Sequence, residues 1–178
     1  MNFKEEVYQE FVKNFSIVLR EKVEGLEISK LIFLCIGTDR ITGDSCGPLV
    51  GYKLKNLFYG EEKIEVIGDL ENIVSLSNIK SITEYIKNSY ENPFLIAIDA
   101  AVSNKIEIGR IVVSNKKMNV GGCLKRKIYV GDISIKGIVS RDLLERGNTF
   151  KLLQTVPLST IMNMADTAVQ GIYDVINV

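Results

Sequence analysis

Apolar residues at Phe3, Val7, Phe11, Phe15 and Val18 recur at steps of three and four, which predicts an amphipathic helix over about 3–23, closed by Gly25. The period then changes. Residues 31–36, LIFLCI, form a continuous apolar run suited to a strand buried on both faces. Pro48 at a first helical position, followed by Val50, Leu54, Leu57 and Phe58, predicts a second helix ending near Gly60. KIEVIGDL reads as a short strand. Ile79, Ile82 and Ile86 then mark a helix over about 77–90, and Pro93 blocks its continuation. FLIAIDA, 94–100, is the second fully apolar strand and ends on Asp99.

The C-terminal half is less regular. IEIGRIVVSN and KIYVGDISIKGIVS alternate as strands do, and their lengths and glycines suggest edge strands or a hairpin. RDLLERG, NTFKLLQT and a longer stretch from about Ser159, with Ile161, Met162, Ala165, Val169, Ile172 and Ile176, give a helical finish. Helices alternating with strands predict an α/β fold, a parallel sheet wrapped by helices on both faces. No repeat, low-complexity segment or linker divides residues 1–178, so one domain is expected.

Composition narrows the chemistry. The chain of 178 residues is 46% hydrophobic, and its 22 basic and 22 acidic residues balance, so no global field draws it to nucleic acid or membrane. The acidic, amphipathic start is unlike a signal peptide, and no run approaches the ~20 apolar residues of a membrane helix. A soluble, cytoplasmic protein is expected. Cys35, Cys46 and Cys123 form no CxxC pair, which argues for reduced thiols over a disulfide framework or structural zinc. There is no histidine. Ser-His-Asp and Cys-His mechanisms need an imidazole, and catalytic zinc usually takes one, so proton transfer falls to other side chains.

The loop from Cys35 to Gly51, CIGTDRITGDSCGPLVG, links the first apolar strand to the second helix. It is not a P-loop: Gly37 and Gly43 stand one residue too far apart, and Asp44 takes the lysine position. Residue 39 is Asp, so GxGxxG fails too. In open parallel sheets, ligands bind beyond the strands' carboxyl ends where the strand order reverses. Asp44, after the first strand, and Asp99, at the tip of the second, are expected to face one such crevice. Two close carboxyls cannot both ionise cheaply, so one becomes an acid and the other a base. Asp44, before a helix N-terminus, is the expected base, and Asp99 the acid with the raised pKa. N–H groups near Gly47 are candidates for holding an oxyanion. A strand-tip aspartate also often only caps a turn.

The loop together with AIDA and GDISIKGIVS resembles the YyaC-type sporulation proteins, which are similar to the spore germination protease and, more distantly, to the hydrogenase maturation endopeptidases. The likeness runs from about residue 31 onward, and GDSxGP is its most specific part. It implies a three-layer α/β/α, phosphorylase/hydrolase-like fold in the cytoplasm of a spore or forespore. The germination protease is an atypical aspartic peptidase acting on small spore proteins. Its first catalytic aspartate lies three residues before a Gly-Pro pair, as Asp44 precedes Gly47 and Pro48, and its second is followed by a small residue, as Asp99 is by Ala100. The resemblance thus implies a peptidase with Asp44 and Asp99 as its dyad, Gly37, Asp39, Gly43, Ser45, Gly47 and Pro48 as supporting loop, and a protein or peptide substrate. The maturation endopeptidases bind metal through acids at the Asp44 and Asp99 positions and a later histidine, which this chain lacks; no metal or other cofactor is therefore expected.

Other features have plainer readings. Cys46 is a thiol at a helix N-terminus or a small filler. Asp39 is a loop-shaping acceptor or a third acid. Asp132 is a turn residue, and the basic run of 116–127, without aromatics, is a solvated loop rather than a nucleic-acid site. Two alternatives to the aspartic peptidase stay open: a silent sporulation factor that binds a peptide or protein partner in the same crevice, and a metal-dependent maturation-type endopeptidase. A homo-oligomer is compatible with either.

Overall fold

The computed structural model describes residues 2–121, 128–141 and 149–177. Cys123, most of RDLLERG and the second half of the basic 116–127 segment lie outside the described residues.

The first helix, α1 (Phe3–Val23), starts where the Asn2 side chain accepts the Glu5 N–H at 3.0 Å, and it buries Val7, Phe11 and Phe15, one turn apart. Strand β1 (Lys30–Cys35) leads through a short 3-10 turn (Thr42–Asp44) into α2 (Cys46–Leu57). There follow β2 (Ile64–Ile67), α3 (Ile79–Ser89), β3 (Pro93–Val102), β4 (Ile111–Ser114), β5 (Met118–Val120), β6 (Ile128–Val130), β7 (Ile133–Ser140), α4 (Thr149–Gln154) and α5 (Leu158–Ile176). Five strands make a mixed sheet in the order β2-β1-β3-β7-β4, parallel except for β4.

Each central strand feeds two cores. In β1, Phe33 and Cys35 pack with α1, α2 and α5, while Ile32 and Leu34 pack with α3 on the opposite face. That is why the run LIFLCI is apolar throughout rather than alternating. The second face is also covered by the β5–β6 ribbon, through Met118, Val120 and Val130. The result is the α/β/α layering expected from the sequence.

Three local expectations change. The second helix opens at Cys46, so Pro48 is its third residue rather than its first. FLIAIDA does not stop at Asp99: β3 continues to Val102 because β7 pairs with it from Ile96 through Val102. GDISIKGIVS is not an edge strand. It forms β7, an interior strand buried at Ile133, Ile135, Ile138 and Val139, while the edge belongs to antiparallel β4. KIYVGDISIKGIVS divides at Gly131, whose φ of 80° makes the corner between the ribbon strand β6 and β7.

Candidate active site

After β1 the chain crosses to β2 on one side and then to β3 on the other, so the strand order reverses between β1 and β3. The loop 36–45 sits on this reversal. Ile36 donates its N–H to Ile98 at 2.7 Å, Gly37 donates to Val74 at 2.9 Å, and Thr38 donates to the Asp44 carbonyl at 3.0 Å. Gly37 has φ +138°, and a Cβ there would stand 2.1 Å from the Asp44 carbonyl oxygen. A Cβ on Gly47 would stand 2.0 Å from the Ile36 carbonyl. These two glycines let α2 begin directly against the end of β1, which folds the loop back and carries Asp44 over the sheet edge.

Within the loop the predicted residues divide by task. Ser45 is buried and its hydroxyl donates to the Thr42 carbonyl at 2.7 Å, closing the 3-10 turn. Gly43 packs against Leu153 of α4, with room for no side chain. Pro48 and Gly47 are buried in the first turn of α2. Asp39 is exposed at the loop tip and makes no hydrogen bond among the described residues, so the expected loop-shaping acceptor is instead Thr38, whose Oγ1 accepts the Arg40 N–H at 3.3 Å.

Asp44 and Asp99 are brought near one another, both half-buried. Burial pushes the Asp44 carboxyl from 3.8 up to about 6, opposed by a hydrogen bond from the Thr38 backbone. Burial also raises Asp99 well above its ordinary value, and the Asp44 charge raises it further; the Ala100 N–H, at 2.7 Å, and Lys136 pull the other way. The expected split, with Asp44 lowered by the helix N-terminus, does not occur. Asp44 lies before the N-cap Ser45 and caps nothing, so burial outweighs the helix. Both carboxyls are raised, and Asp99 also feels its neighbour's charge.

Cys46 is 3% exposed, and its thiol is pushed up to about 12 by burial and by the Asp99 charge. A thiol so disfavoured as thiolate is a packing group at neutral pH. Asp132 is a corner residue with a partner: its carboxylate accepts the Leu95 N–H at 2.9 Å, and its own N–H donates to Leu95 at 2.7 Å.

Two polar residues here were not singled out by sequence. Lys136 in β7 is the Cα partner of Asp99. Asp69, just past β2, is 4% exposed and accepts from Lys55 at 2.7 Å and from the Glu71 and Asn72 N–H groups at 2.8 and 2.6 Å. Burial alone would raise its pKa, but these donors together bring it below 3.8. A groove of about 490 Å³ runs past Asp69 between β2 and α3, lined by Glu65, Val66, Ser81, Ile82 and Tyr85 among others. Neither Asp44 nor Asp99 lines it. The candidate chemistry lies with the two raised carboxyls, because a groove has shape but its one buried acid is fully occupied.

A metal fits this edge poorly. The sequence has no histidine, and among the described residues no three of Cys, Asp and Glu converge as metal ligands would. No helix among the described residues is long and apolar enough to cross a membrane.

A parallel-centred sheet between two helical layers is the fold of the hydrogenase maturation proteases. The chain superposes on a [NiFe] hydrogenase maturation protease, HycI, from Thermococcus kodakarensis with a TM-score of 0.58 at 16% identity, covering 90% of this chain and 99% of that one. It superposes on the hydrogenase maturating endopeptidase HybD from E. coli with a TM-score of 0.50 at 12% identity, over 83% and 92% of the two chains. At such identities the likeness is one of fold. The chain itself belongs to the DUF1256 family, described as a protein of unknown function, whose model matches residues 3–171. It is 32% identical over 161 residues to the protein YyaC of Bacillus subtilis (strain 168), covering 90% of this chain and 76% of YyaC.

Proposed function

We propose that this chain hydrolyses peptide bonds with Asp44 and Asp99 as an acid–base pair. The observation that carries the reading is the pair itself: two half-buried carboxyls at the sheet reversal, both raised, and one raised further by the other. Asp44, at about 6, supplies a base near neutral pH. Asp99, raised well above its ordinary value by burial and by the Asp44 charge, is assigned as the acid for the leaving amine. The maturation-protease fold supports a protein substrate. The resemblance to the germination protease suggests small spore proteins as its class, and a single domain acting in the spore-forming cell as its setting.

The test is cleavage of labelled casein and of a basic spore-type protein by the purified chain, beside Asp44→Asn and Asp99→Asn. Discrete fragments from the parent and none from either variant support the reading. Equal fragmentation by all three would trace the activity to a contaminant and sink it. A partner-binding role in the same crevice is the second reading, favoured if the parent retains these proteins without cutting them.

A further inference from the structure

A charged residue not used so far stands beside Asp99. Lys136 faces Asp99 in register across the β3–β7 ladder, and Cα partners in neighbouring strands stand about 4.8 Å apart. Strand alternation puts Asp99 on the face of Leu95 and Ala97, and Lys136 on the same face. The backbone beneath it is fixed: a Cβ on the next residue, Gly137, would stand 2.5 Å from Met164 Cε and 3.0 Å from Cys46 Sγ. Among the described residues no carboxylate oxygen lies within 4.0 Å of its ammonium, and it donates no hydrogen bond. The side chain is half-buried, and among the described residues its head is uncommitted.

Amide hydrolysis is accelerated by a hydrogen-bond donor or positive group placed where the carbonyl oxygen becomes an anion. Gly47, the candidate from sequence, is buried with its Cα against the Ile36 carbonyl. We propose that Lys136 is the electrophile of this site, its ammonium holding the scissile carbonyl oxygen as that oxygen turns anionic. The assignment rests on the hydrolase reading above. Asp44 carboxylate takes a proton from water as the water oxygen bonds to the carbonyl carbon, and the C=O π pair moves to the oxygen beside Lys136. Asp99 then gives its proton to the amide nitrogen as the C–N bond breaks and the C=O re-forms. The proton on Asp44 returns to Asp99 through water. The products are a carboxylic acid and an amine, and the pair regains its starting state.

The variants Lys136→Met, which keeps the apolar stem, and Lys136→Arg, which keeps the charge, test the assignment. On labelled casein Lys136→Met is expected to lose roughly 10²–10³-fold in kcat with KM little changed, and Lys136→Arg to recover part of the loss. A peptide phosphinate, whose tetrahedral anion resembles the intermediate, is expected to bind the parent at least tenfold more tightly than Lys136→Met in calorimetry. A purely structural lysine would lower the melting temperature and leave that binding ratio near one. Cleavage lost in Asp44→Asn and Asp99→Asn but kept in Lys136→Met would overturn the Lys136 assignment alone. A parent that neither cleaves nor binds the phosphinate would remove the hydrolase reading and Lys136 with it.

Discussion

Asp69 and Asp99 stand at the same edge of the same sheet, two strands apart, and their environments have opposite effects. Asp69 is the more thoroughly buried, yet Lys55, Asn72 and Glu71 saturate it and its pKa falls. Among the described residues Asp99 accepts one backbone N–H, from its own neighbour, and has a second carboxyl close by, and its pKa climbs. Burial pushes both carboxyls up; at Asp69 the supply of donors outweighs it, while at Asp99 it does not.

The contrast is broken most directly by asparagine. Asp44→Asn and Asp99→Asn are each expected to lower turnover by several orders of magnitude, with the double variant little worse than either, because members of one catalytic unit are not additive. Equal additive losses, or unchanged turnover with lowered melting points, would return Asp99 to the company of Asp69. Stability should move the other way at Asp69. Asp69→Ala orphans two backbone donors and is expected to cost on the order of 2–3 kcal/mol in urea denaturation, with little change in the pKa values of the other pair.

The pH dependence sharpens the difference. Asp44, raised to about 6 in the folded chain, binds a proton there that the unfolded chain has released above 3.8, so its contribution to stability is full below that value and is lost as pH rises through about 6. Asp69, lowered in the folded chain, contributes above 3.8 and loses that contribution as pH falls through its folded value. Asp44→Asn should therefore melt higher than the parent at pH 7 and converge with it near pH 4. Asp69→Asn should melt lower at pH 7, with the deficit shrinking below pH 4. Thermal melts across pH 3–8 read both slopes, and parallel curves would contradict the assignment.

The smallest effects are expected at the thiol and with chelators. Cys46→Ala should keep most of the activity, since its thiol sits near 12. A folded but inactive Cys46→Ala would return it to the chemistry. Activity should also persist in EDTA, because the donor set lacks a histidine; full loss restored by one divalent ion would favour a metal mechanism.

Much of this edge was legible in the chain. LIFLCI and FLIAIDA lie in strands buried on two faces, and such strands cannot hide their composition. The glycines of the loop marked a backbone that had to turn tightly, and they do so at Gly37 and Gly47. β7 was harder to place because Lys136 and Gly137 interrupt its apolar run, making an interior strand look half-exposed. Both interruptions are local needs of the edge: Gly137 makes room for Met164 and Cys46, and Lys136 stands beside Asp99. Asp69 was absorbed into KIEVIGDL, although an acid following a glycine at a strand's end was a usable signal. Asp39, two residues after Gly37, carried a similar signal and proved exposed, since residue type does not say which acid of a loop turns inward.

The extension of β3 beyond Asp99 limits how this protein can vary in its descendants. Asp44 rides on a loop, where an insertion displaces it gradually. Asp99 is held in a ladder on both sides, with Ile98 bonded to Ile36 and the strand matched residue by residue to β7. A deletion or insertion of one residue between Phe94 and Asp99 cannot shift it by a little; it moves the acid to the opposite face, under α2 and α5. Parity rather than distance is what lineages must preserve here. Length changes should therefore collect in the loops on either side and leave the count from Phe94 to Asp99 fixed.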